Sequence, residues 1–90
     1  MKSAFELAME RLGGGIKQYS DEQKEQLADI DKLYDAKIAQ AKFAAADRLK
    51  KAGNDPAQQE QIQNDLTVEV RSLEERRDHK KEELRQQFNN

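Results

Sequence analysis

Apolar residues recur at helical spacing in three stretches of this chain, and short breaks separate the stretches. In the first stretch, residues 3–12, the apolar positions follow the i, i+3, i+4, i+7 pattern of one helical face; they are Phe5, Ala8, Met9 and Leu12. A helix of about three turns is not stable alone in water. The pattern therefore predicts a short N-terminal amphipathic helix that docks on another surface, followed by a flexible joint at Gly13–Gly15.

The second stretch predicts a long helix over residues 21–52. Ser20 is a good N-cap residue, and Gln23, three residues later, completes the sequence pattern of a capping box. No glycine or proline follows until Gly53, so nothing in the sequence ends the helix earlier.

The third stretch begins immediately after a helix stop. Gly53 can take the left-handed C′ position that ends a helix. Asp55 is a good N-cap, Pro56 suits the first helical position, and Gln58 has the spacing for a second capping box. These residues predict a helix over about 56–87.

The short connection makes the two long helices antiparallel neighbours. We therefore predict an all-α fold in which residues 1–15 form the N-terminal helix and joint, and residues 16–90 form a long, coiled-coil-like antiparallel hairpin. The apolar stripe of the first long helix is Leu27, Ile30, Tyr34, Ile38, Ala41, Ala45, Leu49 and Ala52. The stripe of the second is Ile62, Leu66, Val70, Leu73, Leu84 and Phe88, interrupted by Arg77 and Lys80. Folding at Asn54 pairs residues whose numbers sum to about 107.

The pairing rule places Arg77 close to Asp31 on the edge of the opposite stripe. This position predicts an Arg77–Asp31 ion pair that sets the register of the hairpin. The alternative is that Arg77 lays its methylene groups over the stripe and keeps its guanidinium in water.

Three large apolar residues point away from the stripes. Leu33 and Phe43 lie within about 80° of each other on the first long helix, and Val68 lies off the stripe of the second. We expect these residues to receive either the N-terminal helix, through Phe5, Met9 and Leu12, or a second hairpin.

Composition and charge support a helical interpretation and exclude several classes of protein. Ala, Glu, Lys, Leu and Arg make up half of the 90 residues, as in long helices and coiled coils. The chain has no cysteine, which excludes disulfides and thiolate metal sites, and it has no apolar run of transmembrane length. The net charge of −2 gives no overall attraction to nucleic acid or anionic membranes. A cytoplasmic location is the expectation.

No motif for catalysis or cofactor binding is present, so we expect no enzyme, no cofactor and no metal. The glycines at 13–15 lack the Lys-Ser/Thr ending of a phosphate-binding loop. His79, the single histidine, has Glu75 and Glu83 one turn away on either side, but this spacing is more typical of a solvated charged face. The Glu-x-x-His element of di-iron bundles is missing, because Arg76 stands three residues before His79.

Nucleic-acid binding is the alternative that the sequence leaves open. The last twenty residues contain six basic residues that a bundle could gather on one face, but five acidic residues interleave with them. The basic residues are Arg71, Arg76, Arg77, Lys80, Lys81 and Arg85. Membrane association has less support, since the polar face of the N-terminal helix has no excess of positive charge.

The N-terminal half carries a family resemblance. The opening MKSAFELAMERL, the glycine break, and the segments SDEQK and LADID resemble a set of short, uncharacterised bacterial helical-hairpin proteins. No activity is established for that set, so the resemblance implies a hairpin and no functional residues.

Together these patterns favour a non-enzymatic scaffold or protein-interaction module that self-associates, with a dimer as the expected homo-oligomer. A second protein is an open possibility as partner. The alternative function is a small helical-bundle protein that binds nucleic acid through the basic residues of the last helix.

Overall fold

The computed structural model describes residues 3–4 and 19–89, and its two long helices form the predicted antiparallel hairpin. Helix α1 spans Asp21–Ala52 and helix α2 spans Pro56–Phe88, which pack against each other. The all-α hairpin is therefore confirmed. The predicted N-terminal helix and its glycine joint lie outside the described residues, except for Ser3 and Ala4.

The start of α1 is fixed by the capping box that the sequence predicts. The Ser20 hydroxyl accepts a hydrogen bond from the Gln23 backbone N–H at 3.1 Å, and the Gln23 side-chain oxygen accepts from the Ser20 N–H at 2.9 Å. Two backbone donors that the first turn leaves unpaired are thus satisfied, so α1 begins at Asp21.

Gly53 ends α1 with a backbone conformation that differs from the predicted one. Its φ of 62° is positive, as expected, but its ψ of −128° is far from the left-handed helical value. These angles match the first central residue of a type II′ turn, a conformation that favours glycine. The Gly53 N–H donates to the Lys50 carbonyl at 3.3 Å, so the connection turns tightly.

The start of α2 is capped by one side chain only, so the predicted second capping box is wrong. Asp55 accepts from the backbone N–H groups of Ala57 and Gln58, at 3.1 and 3.3 Å. The Gln58 side chain does not return the bond; instead the Gln59 side-chain amide donates to the Gly53 carbonyl at 2.6 Å. This bond ties the first turn of α2 to the end of α1.

The core is thin and lies in the middle of the hairpin. The buried residues of the described part are Tyr34, Ala41 and Ala45, at 3, 7 and 5% exposure, and all belong to α1. The other predicted stripe residues are half-buried, with the exception of Lys80, which is exposed while its neighbour Lys81 is half-buried. Small alanines allow the helices to approach closely, and Tyr34 is the one large buried side chain among residues 3–4 and 19–89.

An aromatic contact closes the open end of the hairpin. The Tyr19 and Phe88 rings lie edge to face, with centroids 5.5 Å apart and an interplanar angle of 60°. These residues satisfy the same pairing rule as the rest of the hairpin, so the two helices stay in register along their whole length.

Candidate interaction surfaces

The ion pair between the helices involves a different cation from the predicted one. Lys81 donates from its ammonium group to both carboxylate oxygens of Asp31, each at 3.0 Å. The Lys81 side chain is 20% exposed and the Asp31 side chain 42%. The predicted Arg77–Asp31 pair is therefore wrong, although Asp31 does join the two helices electrostatically.

The direction of helical side chains explains this shift of one turn. Each Cα–Cβ bond tilts toward the N-terminus of its own helix. In an antiparallel hairpin, Asp31 therefore leans toward the open end and Lys81 leans toward the connecting loop. The two side chains converge from levels that are one turn apart, which a purely radial pairing rule does not anticipate.

Arg77 instead bonds within α2 and stays half-buried over the stripe. Its Nε donates to Asp78 at 3.0 Å, and its side chain is 27% exposed. The hydrogen bond to Asp78 raises the pKa of Arg77 above its usual value, while partial desolvation opposes this; the charges of Asp78, Glu74 and Asp31 add smaller increases. The alternative interpretation therefore describes Arg77 better than the predicted ion pair does. The methylene groups of Arg77 pack over the apolar stripe, and its guanidinium lies outside the contact between the helices.

The three outward apolar residues are exposed, as their positions predict. Leu33 is 51% exposed, Phe43 76% and Val68 67%. They do not form a single patch. At 100° per residue, Leu33 and Phe43 lie on the side of α1 that faces away from α2, whereas Val68 lies on the side of α2 that faces away from α1.

Leu33 and Phe43 belong to a short second stripe along α1, which we call the outer patch. Its members are exposed and spaced at the 3-4-3 intervals of a helix-packing seam; they are Leu33, Ala36, Gln40 and Phe43. The outer patch is about 15 Å long at 1.5 Å per residue. Its length is that of one short helix, and Asp29 and Asp47 stand one turn beyond its two ends.

The remaining predicted interaction residues are those of the N-terminal segment. Phe5, Met9 and Leu12 lie outside the described residues.

The six basic residues of α2 do not form a free basic face. Three of them bond to carboxylates: Arg77 to Asp78, Lys81 to Asp31, and Arg85 to Glu82 at 3.5 Å. Arg76 and Lys80 line a shallow groove together with Tyr34, Ser72, Glu75 and His79. The Tyr34 ring is almost fully buried and has the Lys37 ammonium 5.3 Å from its centroid, so it offers no open face for a base to stack on.

Metal and membrane sites were searched within the described residues. His79 bonds to Glu83 at 2.9 Å on the exposed face of α2. Among residues 3–4 and 19–89, no three His, Cys, Asp or Glu side chains come together as a metal site needs. In the same part of the chain, no helix is apolar over a length that could cross a membrane.

Comparisons with known proteins give no family. The chain matches no protein-family model, no curated protein and no solved structure.

Proposed function

We propose that this chain is a non-enzymatic helical interaction module that self-associates, forming a dimer through the outer faces of its hairpin. The observation that carries the proposal is the contrast between a thin core and large exposed apolar side chains. The described part buries Tyr34 and two alanines, while Phe43 and Val68 are more than two-thirds exposed. Isolated exposed apolar residues are ordinary, but two opposite faces of one thin hairpin carry them here.

The surface area of the chain supports the same proposal. A compact monomer of 10.4 kDa is expected to expose about 5,400 Å². This chain exposes 7,399 Å². The excess of about 2,000 Å² per chain is larger than the roughly 800 Å² that each partner buries in a standard protein interface. A rod with principal extents of 58 × 29 × 20 Å offers this area along its sides, where other helices can pack.

The charges explain why the partner is expected to be a helix rather than a nucleic acid. Acidic residues interleave with the basic residues of α2, and half of those bases already bond to carboxylates. A cytoplasmic location is part of the proposal.

Sedimentation equilibrium tests self-association directly. We expect the full chain to sediment as a dimer in the micromolar range. Val68→Ser should raise the dissociation constant of the dimer at least tenfold. Ala28→Ser, a change at an exposed position of α1 outside the outer patch, is the matched control and should leave the constant unchanged. A strict monomer at high micromolar concentration would contradict the proposal.

A mobility-shift assay separates this function from the nucleic-acid alternative. We expect no retardation of single-stranded or double-stranded RNA or DNA at low salt, where electrostatic binding is strongest. Retardation that disappears in Arg76→Glu with Lys80→Glu would favour the alternative instead.

A further inference from the structure

We propose that the outer patch of α1 binds residues 3–12 of the same chain, as a helix that runs antiparallel to α1. Two observations carry this inference: an exposed stripe about 15 Å long that contains Leu33 and Phe43, and an amphipathic ten-residue segment in the sequence that has about the same length when helical. The inference goes beyond self-association and depends on the proposed function only in taking the outer faces of the hairpin as helix-binding surfaces.

The length of the connecting chain determines the orientation. Eight residue steps join Leu12 to Ser20, and an extended chain of that length spans at most about 28 Å. Leu33 lies 13 residues beyond Ser20, about 20 Å along the axis of α1, and Phe43 lies about 35 Å along it.

The packing distance between helices completes the estimate. With helix axes about 10 Å apart, Leu12 can reach the level of Leu33, a distance of about 22 Å, but not the level of Phe43, at about 36 Å. A bound segment must therefore place Leu12 near Leu33 and Phe5 toward Phe43, which is the antiparallel arrangement.

The same estimate makes Val68 less accessible to the segment than the outer patch. Val68 lies at the level of residue 39 by the pairing rule, about 29 Å along the hairpin, and on its far side, about 20 Å across. Leu12 cannot reach Val68, since the combined distance of about 35 Å exceeds the reach of the connection. Phe5 can lie beside Val68 only when the connection is almost fully extended, whereas binding to the outer patch leaves the connection slack.

Charge at one end of the outer patch agrees with the antiparallel arrangement, which brings Arg11 toward Asp29. At the other end Asp47 already pairs with Lys51 at 3.0 Å, so Asp47 does not decide between the N-terminal segment and a second copy of the hairpin.

The small size of the outer patch favours a tethered occupant. Leu33 and Phe43 are its two large apolar side chains. A tethered segment has an effective concentration in the millimolar range, so it binds through a small contact more readily than a separate chain does.

Double electron–electron resonance on spin-labelled chains tests the proposal. The native chain has no cysteine, so two introduced cysteines carry all the label. One label replaces Lys2, and the second replaces either Lys50 or Lys32, which are exposed and flank the outer patch at its two ends. We expect a narrow distance distribution for both pairs, with the 2–50 distance shorter than the 2–32 distance by about 8 Å.

A tenfold excess of unlabelled chain separates binding within a chain from exchange between chains. Distances that persist on dilution support the proposal, whereas loss of the distances means that the segment binds a second copy, which overturns it. A 2–32 distance shorter than the 2–50 distance, or a broad distribution in both pairs, overturns it as well.

A substitution in the outer patch provides the matched test. Phe43→Ser should broaden both distributions, while Ala28→Ser on another side of α1 should leave them narrow, and circular dichroism should show unchanged helix content in both. Unchanged distances in Phe43→Ser overturn the proposal. The sedimentation of Val68→Ser reports on self-association separately, so the two proposals can fail independently.

Discussion

The ion pair between Asp31 and Lys81 gives the most direct test of the hairpin's register. We expect a double-mutant cycle of Asp31→Asn and Lys81→Met to give a coupling free energy of about 1 kcal/mol. These substitutions keep the shape of the carboxylate and the methylene packing of the lysine, so the cycle isolates the charge interaction. Chemical denaturation monitored by circular dichroism supplies the four free energies of unfolding.

The magnitude follows from the geometry and exposure of the pair. Exposed ion pairs contribute about 0.2–1 kcal/mol, because water screens them and side-chain entropy opposes them. Here one ammonium group bonds to both carboxylate oxygens at 3.0 Å, and the Lys81 side chain is only 20% exposed. The coupling should therefore lie at the upper end of that range.

Arg77 offers a control within the same helix. The cycle of Asp31→Asn with Arg77→Met should give less than half the coupling of the Lys81 cycle, since Arg77 bonds to Asp78 and feels Asp31 only at longer range. Raising the salt concentration to 1 M shortens the Debye length to about 3 Å and should reduce the Lys81 coupling. A larger coupling for Arg77 than for Lys81 would refute the register described above.

Three further substitutions test the turn, the core and the cap by the same denaturation assay. Gly53→Ala should lower the free energy of unfolding by about 2 kcal/mol, because alanine is strained at the positive φ of Gly53. Steric clash adds nothing, since an added Cβ meets no atom within 4 Å. Asn54→Ala, at a position without positive φ, should be nearly neutral. Tyr34→Ala should lower the free energy of unfolding by about 3 kcal/mol, since it empties the one large buried site of the described residues. Ser20→Ala should cost about 1 kcal/mol by removing the capping box, and a loss below about 0.3 kcal/mol would contradict that role.

The parts of the fold that depend on local chemistry could be predicted from the sequence. Ser20 with Gln23 marks the start of α1, and Gly53, Asp55 and Pro56 mark the connection, because caps and turns involve residues a few positions apart. The apolar stripes are also confirmed, since burial follows the helical period.

The parts that depend on side-chain direction could not be predicted by the same means. The pairing rule assigned Arg77 to Asp31 because it treats side chains as radial, and the tilt of Cβ atoms moves the contact to Lys81. Likewise, Gln58 and Gln59 were equally close to the turn, and only three-dimensional geometry selects Gln59 as the donor to Gly53. The exposure of Leu33, Phe43 and Val68 follows from their angular positions on the helices at 100° per residue. Their binding partners depend on other surfaces, which the apolar pattern of the two helices does not specify.

The short turn at Gly53 has a consequence for the order in which the hairpin forms. The entropy of closing a chain segment grows with the logarithm of its length, so the Tyr19–Phe88 contact costs about 1.2 kcal/mol more to close first than a contact at the level of Ala45. Pairing should therefore start beside the turn, where alanines let the helices meet with little side-chain ordering, and proceed outward to the aromatic contact. The nucleus of folding and the last contact to close would then lie at opposite ends of the molecule.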